Sequence, residues 1–120
     1  MNEQDHSHSI ANIRYAKNYS GDYVVSRSLN DDEPTWFFQV MKSKLMKLSM
    51  KGPFNIVVIC DIGAPSQVVF SIPYAYFKEN IEHHAHLEAN GRYLFNVNKV
   101  TYEFNWSRNV KMDGKKFLAK

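Results

Sequence analysis

The hydrophobic positions of this chain change their spacing from segment to segment, and the changes mark out its elements. Tyr23-Val24-Val25-Ser26-Arg27-Ser28 carries β-branched and aromatic residues behind the turn signal Gly21-Asp22, which predicts a strand. Ser9 to Tyr15 predicts a short strand ahead of it, and Met1 to His8, polar and aperiodic, reads as a tail. From Pro34 the spacing turns helical. Trp36, Phe37, Val40, Met41, Leu45 and Leu48 recur near a period of about 3.6, with Lys42, Lys47 and Lys51 largely on the other side. Asp31, Asp32 and Glu33 place negative charge at the predicted N-terminus, Pro34 suits the first turn, and Gly52-Pro53 ends the helix.

Phe54 to Cys60 is a continuous apolar run, which predicts a strand buried on both faces or nearly so. Asp61 to Ser66 is a turn, and Gln67-Val68-Val69-Phe70 begins the partner strand. Pro73 opens a second predicted helix, with Ser71 as its cap and Tyr74, Phe77, Ile81 and Ala85 on one face, until Asn90-Gly91 stops it. The period then falls to two. Arg92 to Val97 and Val100 to Asn105 flank Asn98-Lys99 as a hairpin, and Asn109 to Met112 and Lys115 to Leu118 flank Asp113-Gly114 as another. The order ββ-α-ββ-α-ββββ predicts an α+β fold, a curved antiparallel sheet or open pseudobarrel with two helices, over residues 9–120 as one domain behind a tail of residues 1–8.

The composition excludes several classes. At 120 residues, with 44% hydrophobic, 14% aromatic and 22% charged residues, the chain is globular rather than disordered. No run approaches the ~20 apolar residues of a membrane helix, so no membrane partner is expected. The single cysteine, Cys60, lies in an apolar strand and reads as a reduced, buried thiol, which suggests a cytoplasmic compartment.

The formal charge is a modest +3, but it is segregated: residues 34–60 hold four lysines and no acid, and residues 91–120 hold seven bases against two acids. Lys42 and Lys47 on the first helix and Arg108, Lys111, Lys115 and Lys116 near the C-terminus would form a phosphate-binding face if folding brings them together. Tyr102, Phe104 and Trp106 alternate with polar residues, so that Asn105, Arg108, Asn109 and Lys111 point outward from a strand packed on the core. Arg and Asn are the side chains that read guanine and adenine edges, and Lys and Arg anchor to phosphates.

No nucleophile elbow, phosphate loop, dinucleotide fingerprint or metalloprotease motif occurs, so no catalytic residue and no cofactor is expected. Glu79, His83 and His86 fall at helical spacings of four and three, acceptable for a divalent metal, but no cysteine pair completes a structural site, and Asp61 or the tail histidines His6 and His8 would have to be recruited.

The apolar strand, the short strand ending in Ile72-Pro73-Tyr74 with a helix directly after it, the segment Gly91-Arg92-Tyr93-Leu94-Phe95-Asn96-Val97 and the basic closing hairpin together resemble the B3-like and related pseudobarrel DNA-recognition domains of prokaryotic restriction systems. The resemblance covers residues 54–118. It implies binding of duplex DNA by a curved sheet and its loops, with Arg108, Asn109, Lys111, Lys115 and Lys116 near the DNA, as the specificity part of a larger restriction-type assembly. The other reading is a protein-interaction or ligand-binding module, in which exposed rings such as Trp36 or Trp106 line a cleft or a homodimer interface.

Overall fold

The computed structural model describes residues 21–29, 32–106 and 110–119. Among these residues there are two α-helices and eight strands, in two open, mostly antiparallel sheets, and the fold is α+β. The predicted tail of residues 1–8 and the predicted strand of residues 9–15 lie outside the described residues.

The first sheet orders its strands β1 (Tyr23–Arg27), β3 (Asn55–Cys60), β4 (Val68–Pro73) and β8 (Leu118–Ala119). Its centre is the hydrophobic run of β3, parallel to β1 and antiparallel to β4. The second sheet orders β2 (Thr35–Met41), β5 (Arg92–Asn98), β6 (Glu103–Asn105) and β7 (Lys111–Asp113), all antiparallel. Between the sheets lies one core. Phe95 stacks on Trp106 with ring centroids 4.2 Å apart, and Phe70 meets the Phe104 ring edge-on at 5.0 Å. Each such ring pair contributes ~0.5–1.5 kcal/mol beyond the area it buries.

The long helix expected over residues 34–51 is in fact a strand followed by a helix. Trp36, Phe38 and Val40 are buried while Phe37 and Gln39 are exposed, the alternation of a half-buried strand. The helix α1 (Lys42–Ser49) begins only where β2 ends, and the Lys42 N–H donates to the Gly91 carbonyl instead of to a side-chain cap. The second helix, α2 (Tyr74–Asn80), stops well short of Asn90. Ser71 does not cap it; its hydroxyl accepts from the Asn55 amide within the first sheet.

Both expected hairpins also differ. The Asn98 side chain accepts from the N–H groups of Val100 and Thr101, wrapping a longer loop over residues 99–102. Asp113-Gly114 makes no hairpin. The Asp113 carboxylate caps a 3₁₀ turn, Gly114–Phe117, by accepting from the Lys115 N–H, and β8 then crosses to pair with β4. Gly114 is required by space rather than by backbone conformation, because a Cβ there would collide with the Tyr102 carbonyl oxygen and the Phe104 ring.

Candidate nucleic-acid interface

The two sheets present different outer surfaces. On the second sheet every other residue of β2, β5, β6 and β7 faces the core, so the residues between them form a free outer face. The registers align Phe37 with Asn96, Asn96 with Asn105, and Asn105 with Lys111. One aromatic ring, two carboxamides and an ammonium thus form a single row across all four strands. The two carboxamides are oriented by each other, the Asn105 amide donating to the Asn96 side-chain oxygen over 3.2 Å. Further along the face the Arg92 guanidinium donates to the Gln39 side-chain oxygen at 2.8 Å.

The two acids bordering the row are both engaged. Glu103 lies 3.9 Å from the Lys111 ammonium, and Asp113 is occupied in capping the 3₁₀ turn. A solvent-exposed ion pair of this kind is worth ~0–1 kcal/mol, little enough for Lys111 to exchange Glu103 for a phosphate. Lys115 and Lys116, exposed on the 3₁₀ turn, continue the basic character directly beyond β7.

Of the residues singled out in the sequence, Lys111 lies on the outer face of β7, and Lys115 and Lys116 follow on the 3₁₀ turn by which the chain crosses to the first sheet. Lys42 and Lys47 stand apart from them. Those two stand on α1, which leaves the β2 edge of the second sheet, whereas Lys111 is on β7 at the opposite edge. Three inter-strand steps, about 14 Å, separate the two edges. Arg108 and Asn109 lie outside the described residues. Sequence reasoning passed over Phe37, Gln39 and Asn96 and counted Arg92 only among the C-terminal bases; the period-two alternation of Arg92 to Val97 already contained the signal for Asn96.

No family model, curated protein or solved structure matches this chain.

The remaining candidates are resolved by burial and helix length. Trp36 is 4% exposed and Trp106 fully buried, so neither is the exposed ring that the sequence suggested, although Trp36 borders a cleft with Arg27, Glu33, Thr35 and Phe37. The Trp36 indole N–H donates at 2.7 Å to Asp61, a buried carboxylate whose other oxygen accepts the Ser66 hydroxyl at 2.8 Å. Because α2 ends at Asn80, no helix aligns Glu79 with His83 and His86, and no metal-ligating cluster of three forms among the described residues. His86 instead contacts Glu88 at 3.3 Å. The Cys60 thiol, buried beside Asp61, is pushed far up from the usual thiol range by burial and then by that carboxylate, which disfavours a reactive thiolate. Among the described residues no helix is long and apolar enough to cross a membrane.

Proposed function

We propose that this domain binds nucleic acid, duplex DNA foremost, on the outer face of the second sheet. The observation that carries the reading is the cross-strand row Phe37, Asn96, Asn105, Lys111, with Arg92 and Gln39 on the same face. Carboxamides form paired hydrogen bonds with adenine edges, a guanidinium with guanine, and lysines at the sheet edge hold phosphate. The half-exposed Phe37 ring suits a thymine methyl group in a duplex. The pseudobarrel DNA-recognition domains that the sequence resembles engage their ligand through a sheet surface of the same kind. No catalytic step is assigned; the domain acts by recognition.

Mobility-shift titration with duplex and single-stranded DNA at several salt concentrations tests the reading. If Lys111, Lys115 and Lys116 each neutralise one phosphate, affinity falls about forty-fold between about 50 and 200 mM salt. Asn96→Ala with Asn105→Ala weakens binding at least tenfold through lost base contacts, and Lys111→Ala flattens the salt dependence by about one phosphate. Absence of retardation at low salt, or affinity indifferent to these substitutions, rejects the reading. A preference for single strands would recast Phe37 as a stacking platform, since an exposed ring on a sheet accepts any base.

A further inference from the structure

A second surface lies on the helices, away from the sheet face. Lys42, Met46 and Met50 recur every four residues along and just beyond α1, and Tyr74, Lys78 and Glu82 do the same along and beyond α2. Together with Ser49 these residues line a groove of about 290 Å³. Its floor is apolar and unusually open to water for methionine: Met46 is 53% exposed and Met50 is 88% exposed. Thioether chains are flexible and polarisable, and such side chains serve contact surfaces that adapt to a partner. Two ammonium groups, Lys42 and Lys78, stand among its lining residues. Among the described residues Glu82 is the only carboxylate lining it, and it already accepts the Tyr93 hydroxyl at 2.9 Å.

We propose that the groove between α1 and α2 docks a short acidic amphipathic segment of another protein, its apolar side chain on Met46, Met50 and Tyr74 and its carboxylates on Lys42 and Lys78. Charge complementarity selects this occupant. A second copy of the chain would bring its own Lys42 and Lys78 to the contact and so supplies less of the negative charge this groove calls for than an acidic segment does. Nucleic acid would satisfy the lysines but leave the methionine floor without an apolar anchor. An α1 of eight residues spans about 12 Å, room for about two turns of a docked helix and hence a weak, transient contact.

The test uses the full chain and a synthetic helical peptide with leucines at i, i+3 and i+4 flanked by glutamates, plus a control with lysines in place of the glutamates. Methyl resonances of the methionines report binding, with buried Met112 marking an intact fold. The acidic peptide should shift the Met46 and Met50 methyls saturably, and the lysine control should not. Lys42→Glu with Lys78→Glu should weaken binding about tenfold, whereas Asn96→Ala with Asn105→Ala should leave it unchanged. Equal binding of both peptides, no shift at either methyl, a shift produced by protein concentration alone, or a shift produced by duplex DNA would each overturn the proposal. Of these outcomes only a shift produced by duplex DNA would also bear on the sheet face; the others leave it to the mobility-shift experiment, which tests it separately.

Discussion

The two sheets share a core but differ in what lies behind them. In the first, β3 is inaccessible on both sides: Ile56, Val58 and Cys60 belong to the main core, while Val57 and Ile59, equally buried, join Val69 in a small second cluster. In the second, β5 alternates without exception between buried and partly exposed residues, and its outer side carries Arg92, Leu94, Asn96 and Asn98. A strand buried twice has no side left with which to meet a ligand and serves as scaffold. A strand buried once holds its outer residues at fixed spacing on a rigid support and leaves them free to act.

The contrast is sharpest at matched substitutions. Val57→Asp places an unpaired carboxylate in a fully buried position and should cost on the order of 4 kcal/mol, a large share of the roughly 5–15 kcal/mol that holds a domain folded. Asn96→Asp, on the outer side of the other sheet, should change stability by less than about 0.5 kcal/mol. Urea unfolding of both variants makes the comparison, and comparable midpoints would break it. A smaller loss, about 2 kcal/mol, is expected for Asp61→Ala, which strands the buried Trp36 indole N–H and leaves the exposed Ser66 hydroxyl to water. Equilibrium unfolding measures it, and Asp61→Asn should recover part of the loss by keeping an acceptor for the indole.

The smallest effect is a pH dependence. Burial, followed by the hydrogen bond to Glu82 and the charge of that carboxylate, raises the Tyr93 hydroxyl well above the ordinary tyrosine range. The native protein therefore holds this proton where the unfolded chain gives it up. The resulting stability is complete below about pH 10 and is lost as the pH climbs beyond it. Unfolding midpoints at pH 9 and pH 11 should show the decline, and Tyr93→Phe should lessen it.

Much of this architecture is legible in the sequence where one physical signal dominates. The uninterrupted apolar run of β3 and the alternation of β5 each admit one interpretation, and both strands form within a residue of expectation. The stretch Thr35 to Met41 carries two signals. Acids and a proline ahead of it imitate a helix start, and Trp36, Val40 and Leu45 fit a helical spacing. Yet Trp36, Phe38 and Val40 also fit a period of two, and pairing with β5 along seven residues decides between them. That decision moved Phe37 from a helix to the outer face of a sheet, beyond the reach of local reasoning. The Asp113-Gly114 pair misleads for a related reason: its glycine answers to the closeness of Phe104, a packing constraint that dipeptide preferences do not record. Lys42 and Lys47 fail to join the C-terminal lysines because strand order, which charge counts cannot supply, puts them at opposite edges.

Where β1 and β2 approach each other they form no ladder, and two side chains bridge the gap. The Tyr23 hydroxyl accepts from the Met41 N–H at 2.9 Å, and the Arg27 guanidinium donates to the Phe37 carbonyl at 3.2 Å. Main-chain groups that would otherwise invite a foreign strand are thereby occupied from within, and a permanent cation guards one end of the fissure. A molecule built this way can leave the seam between its two sheets open without polymerising through it.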